Sequence, residues 1–131
     1  MKYPTPEQIM EKEPHIKKGA ILMTNMWKKI VMKNWKTDSN YIKTNNLESL
    51  IISMSALHFK IPPIIIKGSF YAYYPDKKII RIDINNPSII STLHEIAHFL
   101  FGHSELKACR WSIHLFKTCF PKEFKKLDWK G

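Results

Sequence analysis

Apolar positions along the chain keep two different rhythms. In residues 5–59 and again in 86–120 they recur every three or four residues, the period of an amphipathic helix; in residues 64–84, β-branched and aromatic residues crowd together and finally alternate with polar ones. Thr5 followed by Pro6 is cap and first-turn chemistry, predicting a short helix that ends before Pro14. Residues 16–35, with Leu22, Met26, Ile30 and Val31 at helical spacing, predict a long amphipathic helix. The polar stretch 36–46 reads as a loop whose Asn46 caps a further helix, which must stop before Pro62 and Pro63.

The segment IIIKGSFYAYYPDKKIIRIDI (64–84) predicts two or three short strands, interrupted at Gly68 and at the Pro75-Asp76 turn. In the last of them Ile80, Ile82 and Ile84 alternate with Arg81 and Asp83, giving one dry face and one wet one. Asn86 and Pro87 then supply the start of a helix whose apolar stripe runs through Ile89, Ile90, Leu93, Ile96, Ala97, Leu100 and Phe101. Gly102 is placed to end that helix and Ser104 to cap a final one reaching about Phe120, before Pro121. With 131 residues, the chain reads as a single domain over 1–131 with an α+β fold: helices on a small, mainly antiparallel sheet.

Composition narrows the classes. At 44% hydrophobic, 24% charged and 12% aromatic the chain is globular in character. It has no apolar run long enough for a membrane span, and the charged, proline-punctuated first residues lack the apolar run of an export signal, so a cytoplasmic protein is expected. Cys109 and Cys119 fall on one expected helix, separated by a rise of roughly 15 Å, too far for a disulfide, so free thiols are expected. The formal net charge of +10 raises nucleic acid as a partner. Yet only Arg81 and Arg110 are arginine, and the lysines are scattered among many Ile and Asn residues, the mark of a biased genome and a solvated surface rather than of a phosphate-reading face.

The chemistry is concentrated in one place. His94-Glu95-Ile96-Ala97-His98 is a His-Glu-x-x-His motif on the apolar-striped helix. Histidines one turn apart can aim two imidazole nitrogens at one point, which suits Zn2+, and Glu95 from the same turn can act as general base toward a water. The competing reading is a histidine pair at the rim of a core stripe; the strand before the helix and the sharp stop after it favour metal. A third protein ligand is needed. Glu105 in the first turn of the last helix and His103 just past Gly102 are the two candidates, with His114 and Cys109 more remote.

The strand IIRIDI, the turn NNPS, the motif helix TLHEIAHFLFGH and the following ELKACRWSIHLF (residues 79–120 at most) resemble the core of the ImmA/IrrE-like zinc metallopeptidases. Ala108, Trp111, Ser112, Leu115 and Phe116 follow the pattern of that family's next helix, whereas its glutamate falls at Lys107, with Glu105 two positions earlier. The resemblance implies a minimal zincin fold with the metal in a cleft between sheet edge and motif helix. It implies Zn2+ as cofactor and hydrolysis of a peptide bond in a protein substrate, such as a phage or mobile-element regulator. SprT-like proteases, which act on DNA-bound proteins, are a second group with a similar motif helix, and a catalytically impaired binding module on the same fold is a third outcome. The wet edge of IIRIDI is the expected place for a substrate strand to add. The metzincin spacing is not met.

Overall fold

The computed structural model describes residues 3–127. Helices α1 (Pro6–Met10), α2 (Lys18–Val31) and α3 (Asn40–Leu57) come first. Strands β1 (Ile64–Gly68), β2 (Ala72–Tyr74) and β3 (Ile79–Asp83) follow, then α4 (Ile89–Phe101), α5 (Glu105–Cys119) and α6 (Pro121–Lys125). The architecture is α+β. None of the described helices is long and apolar enough to cross a membrane.

Thr5 caps α1 with a full capping box closed by Gln8, and Pro6 follows at the first helical position. In α2 the buried face is Ala20, Thr24, Trp27 and Val31, while Leu22, Met26 and Ile30 point to solvent. Of the four apolar residues that mark the helical spacing, Val31 alone lies on the inner face. Thr24 can be buried because its hydroxyl donates to the Ala20 carbonyl, and Trp27 because its indole N–H reaches the Asn46 carbonyl and the Ser49 hydroxyl. Helix α3 begins at Asn40, seven residues before the start expected from a cap at Asn46, because the Ser39 hydroxyl accepts from the Ile42 N–H and Thr44 is buried as a first inward residue. Leu47, Leu50, Ile51 and Met54 then run down the middle of the molecule with no exposed surface.

The sheet has the order β1-β3-β2. Strand β2 pairs antiparallel with β3 through the turn at 75–78, but β1 pairs parallel with β3 in the register Ile64 to Ile79 through Gly68 to Asp83. The sheet is thus mixed rather than mainly antiparallel. Residues 69–71 carry the chain from β1 across the width of two strand spacings, roughly 10 Å, before it descends as β2. Phe70, in this crossing, and Tyr74 hold the Arg81 guanidinium at 4.5 and 5.7 Å from their ring centroids. Hydrophobic alternation marks which face of a strand is buried and says nothing about which neighbour it pairs with, so this order was not readable. Because β3 is central, both of its edges are spent and it cannot accept a substrate strand; the free edges belong to β1 and β2.

Ile80 and Ile82 of β3 pack under α4, whose Leu93, Ile96 and Ala97 are also fully buried, while Ile84 lies beyond the strand and is partly exposed. Helix α5 closes the other side with Ala108, Trp111 and Leu115, and Phe120 plugs the end against Trp27.

Candidate metal centre

Helix α4 is fixed at its start by Ser88, not by the expected Asn86: the Ser88 hydroxyl accepts from the Ser91 N–H, and Pro87 precedes the cap. The Tyr71 hydroxyl secures the same turn, accepting from the Ser88 N–H at 2.7 Å and donating to the Asn86 carbonyl at 3.1 Å. With the apolar stripe of α4 buried, His94, Glu95 and His98 are left half-buried on the side facing α5.

The helix ends where expected. Gly102 takes φ 103° and ψ −160°, a conformation open essentially to glycine alone, and its N–H donates to the His98 carbonyl. Ser104 then caps α5 by accepting from the Lys107 N–H. The chain reverses within 102–104, so the first turn of α5 lies over the histidine pair.

That reversal brings the Glu105 carboxylate between the two rings: Oε1 lies 2.5 Å from His94 Nε2 and 3.2 Å from His98 Nε2. The two Nε2 atoms are 3.2 Å apart, their rings edge to face. His98 Nδ1 faces the Gly102 carbonyl oxygen at 2.9 Å. A carbonyl only accepts, so Nδ1 is the nitrogen that carries a proton there, which leaves Nε2 as the one free to offer a lone pair toward Glu105 and His94. On its other side, His94 Nδ1 meets the Cys109 sulfur at 3.8 Å.

Burial disfavours charge throughout. It lowers the His94 pKa below the usual imidazole value, partly opposed by the Glu105 charge. Glu95 is pushed up to about 7, first by burial, with His98 pulling down and Glu105 pushing up. The Cys109 thiol is pushed up to about 11 by burial and by the Glu105 and Glu95 charges, so it stays protonated near neutrality. Both described cysteines are free.

His94, Glu105 and Cys109, with donor atoms within 4.8 Å of one another, form a cluster that could hold a metal ion. His94, His98 and Glu105 form an overlapping set with still shorter separations. Of the remaining sequence candidates, His103 is exposed in the turn and joins neither set. His114 is buried on α5, its Nε2 without a partner among the described residues, and also stands outside both sets. Beside the cluster opens a cleft of about 220 Å³ lined by Tyr71, Ile90, His94, Glu95, Ser112 and Ile113, among others. The place of Tyr71 there was not legible, because it depends on the course of the 69–71 crossing. Comparison of the chain with family models, with curated protein sequences and with solved structures gives no significant match.

Proposed function

We propose that the protein is a zinc-dependent peptidase of minimal zincin type, with His94, His98 and Glu105 as metal ligands and Glu95 as the proton-carrying carboxylate. The observation that carries this reading is the convergence of His94 Nε2, His98 Nε2 and Glu105 Oε1, with the His98 lone pair aimed inward by the Gly102 carbonyl. Donors about 2.0–2.1 Å from a tetrahedral zinc lie about 3.3 Å from each other, close to two of the three separations here. Opening the His94–Glu105 pair by less than 1 Å would complete the fit. Cys109 is the less direct donor, since its sulfur meets Nδ1, the far nitrogen of His94, rather than the Nε2 that faces His98 and Glu105.

Zinc held there would supply Lewis acidity to a carbonyl and ease deprotonation of water. Glu95 shares the cleft with His94 and is the carboxylate placed to take a proton from an attacking water and deliver it to the departing amine as the C–N bond breaks. The substrate is an extended stretch of protein backbone. Strand β2 has a free edge, lies against α4 through Tyr73 and Phe99 at 5.9 Å, and follows directly on Tyr71 of the cleft. A peptide adding to that edge would run past Glu95.

Elemental analysis of protein purified without a metal-binding tag should give about one zinc per chain, lost in His94→Ala and His98→Ala. Glu95→Gln should keep the metal and lose hydrolysis of an unfolded protein substrate by at least ~100-fold. A wild type that stays folded and takes up no zinc would remove the proposal.

A further inference from the structure

On the far side of the α4–α5 turn from the histidines lies a larger cleft of about 500 Å³, within the range of small-molecule sites. Three parts of the chain build it. The strap between α1 and α2 contributes Lys12, Pro14 and His15; the end of α4 and the turn after it contribute Phe101 and Ser104; α5 contributes Leu106, Lys107, Arg110 and Trp111. Arg110 holds α1 and the start of the strap over α5: its Nε and Nη2 donate to the Gln8 carbonyl in α1 at 3.0 and 2.7 Å, and Glu11 follows directly.

The floor is apolar and aromatic. Phe101 and Trp111 meet edge to face at 5.5 Å, and His58 backs both rings from within. Trp111 is only 2% exposed, so this floor is rigid core rather than a mobile surface. The rim is cationic: Lys12, Lys107 and Arg110 line the cleft together with His15, and no carboxylate lines it among the described residues. Arg110 is partly compensated by Glu11 at 3.6 Å. Neither Lys12 nor Lys107 pairs with a carboxylate among the described residues, and the Lys107 ammonium lies 5.4 Å from the Phe101 ring centroid.

An aromatic floor calls for an apolar body, and a rim where Lys12 and Lys107 have no carboxylate partner among the described residues calls for negative charge at its mouth. We propose that this cleft binds a small organic anion with an apolar body, an aryl or medium-chain acyl carboxylate or sulfonate. The ring or chain lies on the half-buried Phe101 and Leu106, with Trp111 packed behind them, and the anionic head lies between Lys12 and Lys107. A neutral molecule of the same body lacks the second half of the recognition, and a bare inorganic anion lacks the first. Nothing in this depends on a metal at His94 and His98.

The test uses 8-anilinonaphthalene-1-sulfonate as the fluorescent probe on the full chain, with decanoate and decanol as competitors. The dye should saturate at one per chain, and decanoate should displace it at concentrations where decanol does not. The double variant Lys12→Glu/Lys107→Glu should bind at least tenfold more weakly. Lys77→Glu/Lys78→Glu, an equal charge change in the turn before β3, should bind as the wild type does. Both pairs are exposed, so thermal melts should confirm intact folding. Non-saturating dye binding, equal loss in the two double variants, or equal displacement by decanol would each overturn the assignment. The zinc measurement reads the other site and can fail or succeed separately.

Discussion

His98 donates from Nδ1 to the carbonyl oxygen of Gly102, four residues further along, at 2.9 Å. One residue therefore stops the helix, reverses the chain and fixes the proton on the imidazole whose other nitrogen faces the candidate centre. In metal sites such an outer partner commonly sets both ring orientation and ligand basicity.

Gly102→Ala tests that link. An added Cβ would meet nothing within 4 Å, so the cost is backbone strain at φ 103°, on the order of 1–3 kcal/mol. The melting temperature should fall, and zinc affinity, read by competition with a chromophoric chelator, should drop by about 10–100-fold as the carbonyl shifts. Lower stability with unchanged affinity would show that the carbonyl does not orient His98.

The third donor is decided by a pair of variants. Glu105→Ala should reduce bound zinc from stoichiometric to a small fraction, while His103→Ala should leave it unchanged, because His103 is exposed and outside the cluster. The reverse result would move the ligand to the turn.

Cobalt substitution distinguishes the two overlapping donor sets. With N,N,O ligation the cobalt protein should show no near-ultraviolet thiolate charge-transfer band, and Cys109→Ser should retain metal. A strong band lost in Cys109→Ser would assign the centre to His94, Glu105 and Cys109 instead.

His58 gives an acid dependence separate from the metal. Burial lowers its pKa below 6.5, with Lys17 and Lys60 adding to the effect, against the hydrogen bond to the Met54 carbonyl. The unfolded chain then takes up the proton more readily, so stability is complete above about pH 6.5 and is lost as pH falls through the folded value. In His58→Gln the drop in melting temperature between pH 7 and 5 should be smaller, though the absolute stability is lower for want of the ring between Phe101 and Trp111. An unchanged slope would place the acid sensitivity elsewhere.

The two helices of the centre were legible because their punctuation is chemical and local: Gly102 with its required φ, Ser104 with its cap, and histidines one turn apart. The same local chemistry misled where polar atoms found partners inside. Thr44 looked like loop and is helix, with Ser39 as the cap before it, and Thr24 marks the inner face of α2 where Leu22 and Met26 seemed the natural choice. The sheet order could not be read at all, since the five-residue parallel ladder of β1 on β3 joins segments whose alternation would equally suit an antiparallel neighbour. Motif spacing marked His94 and His98, but the choice between Glu105 and His103 depended on the angle at which the chain leaves Gly102.

The donors of the candidate centre, His94, His98 and Glu105, lie within twelve consecutive residues joined by the turn at 102–104. Closing so short a loop costs little chain entropy, far less than recruiting a ligand from a distant strand. The centre therefore belongs to one helical hairpin, and its assembly does not wait for β1, the slow parallel pairing, to dock. During refolding, metal should become protected at the rate of hairpin formation, ahead of the sheet, and an excised segment spanning 86–120 should bind the ion with part of the affinity of the whole chain.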